Sequence, residues 1–575
     1  MKASDYIVSF ISERGVDTVF GYIGGMITHL VDSLARSEKV RYIQTYHEQT
    51  AAIAAEGYAL ENGKFGVAIS TSGPGATNMM TGIADAYFDS IPVLYITGQV
   101  NSYEYKYDKP IRQQGFQETD IVSIVKPITK YAAFVDDAKN LRYELEKAIH
   151  IATSGRKGPV LLDIAMNVQR TDINPEELLG YKDESNSIEE KFDLTEIVDL
   201  FSKSKRPMVL LGAGCIGDEV QKQLESFVFN NEVPVVTSLM GRGAIDETYK
   251  YYIGMVGSYG NRCANIAISQ ADLLIVLGSR LDTRQTGAKI DTFLKEGHIV
   301  HVDIDANELK YHRIHGQKNV NMDVLSFLQA LKEYSYQLVP SDKWHDYVLD
   351  MKSKYNQDKE IERFVENKSP YKFIQFLNNL TQEGDVITTD VGQNQMWVAQ
   401  TIQMKKNMKF LTSGGLAPMG YSMPAAIGMA FANPERTIYA LCGDGGFHMS
   451  VQALMVISQY HLPIKVIVLN NSTLGMITQF QHLYFDNLMA GTTADGGYLV
   501  PDIKALAESY GLVYGCLSGK TVKDEAEAIV KKANLIEYKI DGLTTVCPKL
   551  EYNKPIECPI PLLNEEEMKD INFKD

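Results

Sequence analysis

Two carboxylates and an amide stand where the sequence could do chemistry. Asp444 falls in Gly443-Asp444-Gly445-Gly446, directly after the apolar run TIYALC, and 27 positions later Asn471 closes the run IKVIVLNN. As strands of one parallel sheet the two runs end on the same edge, where a carboxylate and an amide oxygen converge. Oxygen ligands of this kind suit Mg²⁺, which shares its shell with phosphates and water. The glycines let backbone N–H groups approach a diphosphate at the start of the following helix. Gly-Asp-Gly alone also fits a plain strand-to-helix turn, and the distal Asn-Asn is what separates the two readings. The second carboxylate, Glu48, follows the run RYIQTY and opens an alanine-rich stretch, HEQTAAIAAEGYA. By itself it reads as a helix-start acid favoured by the macrodipole.

Positioning these groups takes parallel sheets covered by helices. Short apolar runs such as FGVAIS at 65–70, PVLYIT at 92–97 and PVLLDI at 159–164 alternate with helical patterns at 48–60 and 138–154. That rhythm indicates an α/β fold. It recurs from Pro207 (PMVLLGAG) through VPVVTS, DLLIVLGS and HIVHVDID, and again from DVITTD at 385–390 onward. The expectation is three doubly wound parallel-sheet modules: 1–167, a polar linker 168–190, a central module 191–340, a helical connector 341–368 and a third module 369–575. At roughly 100 to 200 residues per domain, 575 residues accommodate three.

Composition removes other classes. Lys and Arg total 56 against 72 Asp and Glu, a formal charge of −16. With no dense basic stretch, nucleic acid is not an expected partner. The start, MKASDYIVSFISERGV, has helix periodicity in place of a signal-peptide apolar block, and no apolar run approaches the ~18 residues of a membrane span. Six scattered cysteines without a CxxC pair argue against a disulfide framework or zinc ribbon and fit a cytoplasmic location.

The Gly-Asp-Gly to Asn-Asn spacing resembles the cofactor motif of thiamine diphosphate enzymes. Along nearly the whole chain the match is closest to acetohydroxyacid (acetolactate) synthase catalytic subunits. It is carried by GYIGGMI at 21–27, HEQTAAIAAEGYA at 47–59, SGPGATN at 72–78, FQETDI at 116–121, PITK at 127–130, VGQNQMW at 391–397, SGGLAPMGYSMPAAIG at 413–428 and LGMITQFQ at 474–481. The resemblance implies that Asp444, Asn471 and the Thr473 carbonyl hold Mg²⁺. Gln393, Asn394, Gly443, Gly445, Gly446, Gly475 and Met476 would surround the cofactor, and Met419 would be the apolar wedge that bends it. Glu48 would serve the cofactor of a partner subunit, protonating an aminopyrimidine ring nitrogen so that the amino group can act as a base. Gly24, Gly25, Phe116 and Gln117 would face the reacting carbon. Taken singly, Met419 and Phe116 read as core residues.

The central module carries LLGAG at 210–214, SLMG at 238–241, GSRLDTR at 278–284 and VDID at 302–305. Together these resemble the flavin module of the same family, with Gly212, Gly214, Leu239, Met240, Arg280 and Asp303 against a structural, redox-silent FAD, and Arg280 also near the acceptor's carboxylate. The implied reaction is carboligation, as in branched-chain amino acid biosynthesis: pyruvate loses CO₂ and its two-carbon unit joins a second carbonyl, by default another 2-oxoacid to give 2-acetolactate. A homodimer or homotetramer follows, with room for a regulatory subunit.

The sequence departs from that pattern in four places. Phe480 stands where a tryptophan favours 2-oxobutyrate as acceptor, Asn394 replaces a histidine, and Ala417-Pro418 replaces Gly-Thr. The segment NSYEYKYDKPIRQQG at 101–115 is long for the family and holds three tyrosines, two lysines and Arg112. It reads either as a surface insertion or as an aid to a bulkier acceptor, since aromatic rings stack on sugars and cations pair with phosphates. A nucleotide-activated keto sugar is therefore the alternative acceptor, and a flavin-dependent pyruvate oxidase a further alternative.

Overall fold

The structure, a computed structural model, describes residues 1–183, 192–294 and 296–574. Part of the expected linker, 184–190, thus lies outside the described residues. Its start at 168 falls within a short helix, Met166–Arg170.

Three parallel six-stranded sheets follow one another. The first contains β1 (Thr18–Gly21), β2 (Arg41–Gln44), β3 (Gly66–Ser70), β4 (Val93–Gln99), β5 (Tyr131–Val135) and β6 (Val160–Ala165), in the order β2-β1-β3-β4-β6-β5. The second contains β7 (Pro207–Leu211), β8 (Val235–Thr237), β9 (Tyr252–Met255), β10 (Leu273–Leu277), β11 (His298–Asp303) and β12 (Lys318–Asn321), in the order β12-β11-β10-β7-β8-β9. The third contains β13 (Val386–Thr389), β14 (Lys409–Leu411), β15 (Ile438–Gly443), β16 (Ile464–Asn470), β17 (Tyr514–Ser518) and β18 (Leu535–Lys539), in the order β14-β13-β15-β16-β18-β17. Every residue of β3, β4, β7 and β10 is buried, which explains why these strands read as unbroken apolar runs and not as alternation.

The first and third sheets are joined by two helices, Glu48–Asn62 and Ser422–Ala432, whose backbones touch. A Cβ on Gly57 would lie 2.1 Å from the Ala425 carbonyl oxygen, and one on Gly428 would lie 1.9 Å from that of Ala54. The missing side chains are what permit the close crossing. A single apolar cluster runs through it, from Ile53 and Tyr58 to Met423 and Ile427.

The central module is fastened to the third module and the connector through two buried, ion-paired arginines. Arg242 chelates Glu247 at 2.6 and 2.7 Å and donates to the carbonyls of Ala399 and Ile402 in the third module. Arg262 pairs with Glu360 at 2.8 Å and donates to the carbonyls of Pro559 and Pro561. Removing one partner of such a pair leaves a bare buried charge, at a cost of about 3–5 kcal/mol. The connector forms two helices, Asp342–Tyr355 and Gln357–Phe364, and Trp344 of the first packs into the central module beside Ile556, Leu563 and Ile571. The end of the chain therefore leaves the third sheet and straps the second. Among the described residues no helix is long and apolar enough to cross a membrane.

Candidate active site

β15 and β16 pair in parallel, with Gly443 opposite Leu469, so the residues just beyond them share one edge. Asp444 is 2% exposed there. Its Oδ2 accepts the backbone N–H groups of Asn471 at 3.1 Å and Ser472 at 2.9 Å, and its Oδ1 accepts the Tyr498 hydroxyl. Burial pushes its carboxyl up to about 6 even against these donors. Asn471 is propped from behind, its Nδ2 donating to Thr544 Oγ1 at 2.8 Å and to Gln393 Oε1 at 3.4 Å. Gln393 is itself engaged, donating to Gln479 and to the Thr544 carbonyl.

Asp444, Asn471 and Gln393 line a cavity of about 210 Å³ that also takes in Asn394, Met419, Gly443, Gly445, Gly446, Thr473, Gly475 and Met476. The wall is cut close. A Cβ on Gly445 would meet Leu474 at 2.8 Å and Met419 at 2.9 Å, and one on Gly475 would meet Gln393 Oε1 at 2.1 Å. Asn394 is buried, and its Oδ1 has no hydrogen-bond partner among the described residues. A buried amide oxygen without a donor is rare unless a ligand completes it. With a single carboxylate beside amide and backbone oxygens, the donor set suits a hard cation that keeps part of its shell for phosphate.

Met419 reaches this cavity because Asp390 holds the turn that carries it. The buried Asp390 carboxylate accepts from the backbone N–H groups of Val391 at 2.9 Å, Gly420 at 2.8 Å and Tyr421 at 3.2 Å, and burial pushes it up to about 7. Asp390, Tyr498 and Thr544 were missed in the sequence; only the acid in DVGQNQ offered a signal, directly after a strand. The central module also reaches in, with Tyr259 and Arg284 in the cavity wall.

Glu48 is elsewhere. It begins its helix after His47, whose Nδ1 accepts the Gln49 N–H at 3.1 Å, and it is 7% exposed. Asn78 Nδ2 donates to its Oε2 at 3.0 Å, and Gly75 leaves room beside Oε1. Around it stand Thr71, packed on Gly24, and Gly73, packed on Gln117. Gln117 has a left-handed backbone, φ 62°, and the neighbouring Phe116 is 78% exposed. Glu48, Gly24, Gly25, Phe116 and Gln117 thus gather at the edge of the first sheet and are absent from the wall of the third-module cavity.

In the second sheet, β7 and β10 are neighbours from which the strand order runs outward in both directions, and their loops meet backbone to backbone. A Cβ on Gly212 would lie 2.2 Å from the Gly278 carbonyl oxygen, and the N–H of Gly214 donates to that same oxygen at 3.0 Å. Arg280 pairs with Asp282 at 3.3 Å, and Asp303 accepts the Asp305 N–H at 2.8 Å. Leu239 opens the short turn Leu239–Gly241, and Met240 packs against Gly414 of the third module. Arg280 and Phe480 lie outside the cavity wall; the Phe480 ring rests on Tyr484, 4.8 Å between centroids.

The 101–115 segment is organised from within. Buried Glu118 accepts the N–H groups of Lys106, Gln114 and Gly115 at 2.6 to 3.0 Å. Tyr105 and Tyr107 pack on Phe134 of β5, with centroids 4.5 and 6.2 Å away, while Tyr103 and part of Tyr107 remain exposed.

Three family models match the chain: the N-terminal TPP binding domain of thiamine pyrophosphate enzymes over residues 1–124, their central domain over 194–331 and their C-terminal TPP binding domain over 390–546. The chain is 37% identical over 537 residues to a probable acetolactate synthase large subunit of Methanocaldococcus jannaschii, covering 89% of this chain and 87% of that one. It is 35% identical over 587 residues to the acetolactate synthase large subunit of Lactococcus lactis, covering 100% and 97%, and 35% identical over 560 residues to the acetolactate synthase isozyme 2 large subunit of Escherichia coli, covering 95% and 97%. One model falls on each sheet, in order, and relatives match nearly end to end: the chain belongs to the thiamine pyrophosphate (diphosphate) enzymes and is an acetolactate synthase-like member of them.

Proposed function

We propose that the protein is a pyruvate-dependent carboligase that releases CO₂ from pyruvate and joins the remaining two-carbon unit to a second 2-oxoacid, forming 2-acetolactate when that acceptor is pyruvate. The observation carrying this reading is the third-module cavity, whose buried carboxylate and glycine-lined wall fit a diphosphate held through a dication, with the unpartnered Asn394 Oδ1 open to a cation or a donor. In this reading Mg²⁺ rests on Asp444, Asn471 and the Thr473 carbonyl, and its charge offsets the cost of keeping Asp444 ionised while buried. Thiamine diphosphate, when bound, supplies the sink for the electron pair left as CO₂ departs. Met419, pressed between Gly445 and the Asp390-held turn, restricts the shape of what binds there.

Glu48 lies outside its own chain's cavity, so a second copy supplies it, in a homodimer or homotetramer. Asn78 fixes one of its oxygens and leaves Oε1 to hold a proton against the cofactor's ring nitrogen. Gly24, Gly25, Phe116 and Gln117 travel with it as the wall facing the reacting carbon, while Arg280 and Phe480 border the acceptor. The second sheet supports a dinucleotide ligand: numbered within itself its order is 3-2-1-4-5-6, and such sheets take dinucleotides at the crevice between strands 1 and 4, here the Gly212/Gly278 contact. We assign that crevice to a structural FAD, with Gly214, Leu239, Met240, Arg280 and Asp303 beside it. The relatives' designation as large subunits supports a smaller regulatory partner, and a cytoplasmic location belongs to the same proposal.

Supplying the Mg²⁺- and thiamine diphosphate-loaded protein with pyruvate alone tests the reaction. Acetolactate and CO₂ are expected in a 1:1 ratio, one of each from two pyruvates. CO₂ without acetolactate overturns the default acceptor and directs the search to keto sugars, whereas oxygen consumption with pyruvate identifies an oxidase.

A further inference from the structure

The helix Met80–Phe88 of the first module ends against the third module's loop Ser413–Met419, and carboxylates make the contact. Asp85, fully buried, accepts the Ser413 hydroxyl on Oδ1. Asp89, at the end of that helix, accepts the backbone N–H groups of Gly414 at 2.9 Å and Gly415 at 2.8 Å. A carboxylate at a helix C-terminus gains nothing from the macrodipole; these two N–H donors account for its place. Ser413 Oγ in turn accepts the N–H of Ala417 at 2.8 Å, which holds a non-glycine residue at φ 61°. The far end of the same loop is tied to Asp390 through Gly420 and Tyr421. Met419 lies between the two anchors.

A third acid completes the group. Glu56, fully buried on the Glu48–Asn62 helix, lies within hydrogen-bonding reach of Asp85. Both of its carboxyl oxygens, and Oδ2 of Asp85, lack a donor among the described residues. Two ionised carboxylates cannot face one another in an apolar seam, whereas one shared proton satisfies both. The positive charges of Arg280 and Arg156 act on Asp89 in favour of its ionised form.

We propose that Asp85 and Asp89 are positioning residues for Met419, so that each chain's first module shapes its own third-module cavity, with Glu56 carrying the proton that lets it donate to Asp85. This rests on the reading that the cavity takes thiamine diphosphate. First-module residues then act in two directions, Glu48 toward a second copy's cavity and Asp85 and Asp89 toward their own.

Trp397 lines the cavity and is one of two tryptophans in the chain, so its fluorescence reports titration with thiamine diphosphate in Mg²⁺. Asp89→Asn replaces one of two acceptors with a donor facing an N–H, and the apparent Kd should rise about tenfold or more while the melting temperature moves little. Ser413→Ala, which severs the Asp85 link, should act in the same direction and decides the matter if Asp89→Asn does not fold. Glu56→Gln, whose amide donates as a protonated carboxyl does, should bind within about twofold of wild type. Unchanged Kd in both loop-anchor variants, with or without a lower melting temperature, overturns the positioning role. A Glu56→Gln protein as weak as Asp89→Asn overturns the shared proton. Failure of the wild-type chain to bind thiamine diphosphate would instead remove the cofactor reading itself.

Discussion

The first and third sheets thread their strands in the same order, 2-1-3-4-6-5 when each is numbered from its own start, and the helices Glu48–Asn62 and Ser422–Ala432 fill the same slot, between the second strand and the third. Each helix carries Ala-x-x-Gly, and the glycine of each meets the alanine carbonyl of the other, so the crossing is reciprocal as in a two-fold interface. Within this symmetry the chemistry is opposite. The third sheet's edge is emptied of side chains at Gly443, Gly445 and Gly475 to make room, while the first sheet's edge projects one, Glu48. Inside the crossing, Glu56 of one helix stands where the other has Ile427. One scaffold used twice shows that sheet topology fixes where loops gather, and that only the loop and helix-start residues decide whether the edge opens into a cavity or presents an acid.

Replacing the projecting acid breaks the asymmetry most sharply. Glu48→Gln should lower turnover by about 10²–10⁴-fold while Trp397 fluorescence still reports wild-type affinity for thiamine diphosphate; intact turnover would sink the catalytic assignment. Next comes the crossing itself. Gly428→Ala places a methyl 1.9 Å from the Ala54 carbonyl oxygen, and a loss of roughly 3 kcal/mol in denaturant unfolding is expected; an unperturbed midpoint would mean the helices can slide apart. The smallest effect belongs to Asp163 on β6, buried and accepting from Thr97 at 2.7 Å and Gln99 at 2.8 Å. Burial pushes its carboxyl up to about 7, so the folded chain binds a proton that the unfolded chain releases near pH 4. Its contribution to stability is thus greatest below about pH 4 and declines as pH rises to about 7. Asp163→Asn should flatten the slope of melting temperature between pH 5 and 8 by a few degrees, and an unchanged slope would show that the acid stays ionised.

The strands and the Asp444/Asn471 edge were legible because both are local: fully buried strands announce themselves as apolar runs, and a strand followed by glycine and an acid is a contiguous signal. What stayed hidden depends on partners far along the chain. Asp390, Asp85 and Asp89 look like ordinary acids until the fold places the Gly414, Gly415 and Gly420 N–H groups before them. The contacts of Tyr105 and Tyr107 with Phe134 on β5 were equally invisible, because Phe134 lies far along the chain from both. The final stretch, which carries no strand run, gave no hint that Ile556 and Ile571 belong with Trp344 on the central module.

Because one apolar core extends from Ala3 to Val168 and resumes at Val386, kinship by packing differs from kinship by sequence position. The outer modules are two halves of a single body, and the central one stands between them in the chain with a core of its own, docked through Arg242 and the C-terminal strap. A break in the backbone ahead of Phe201 would sever a tether whose holding role the helix crossing already fills, whereas parting the crossing would undo both halves at once.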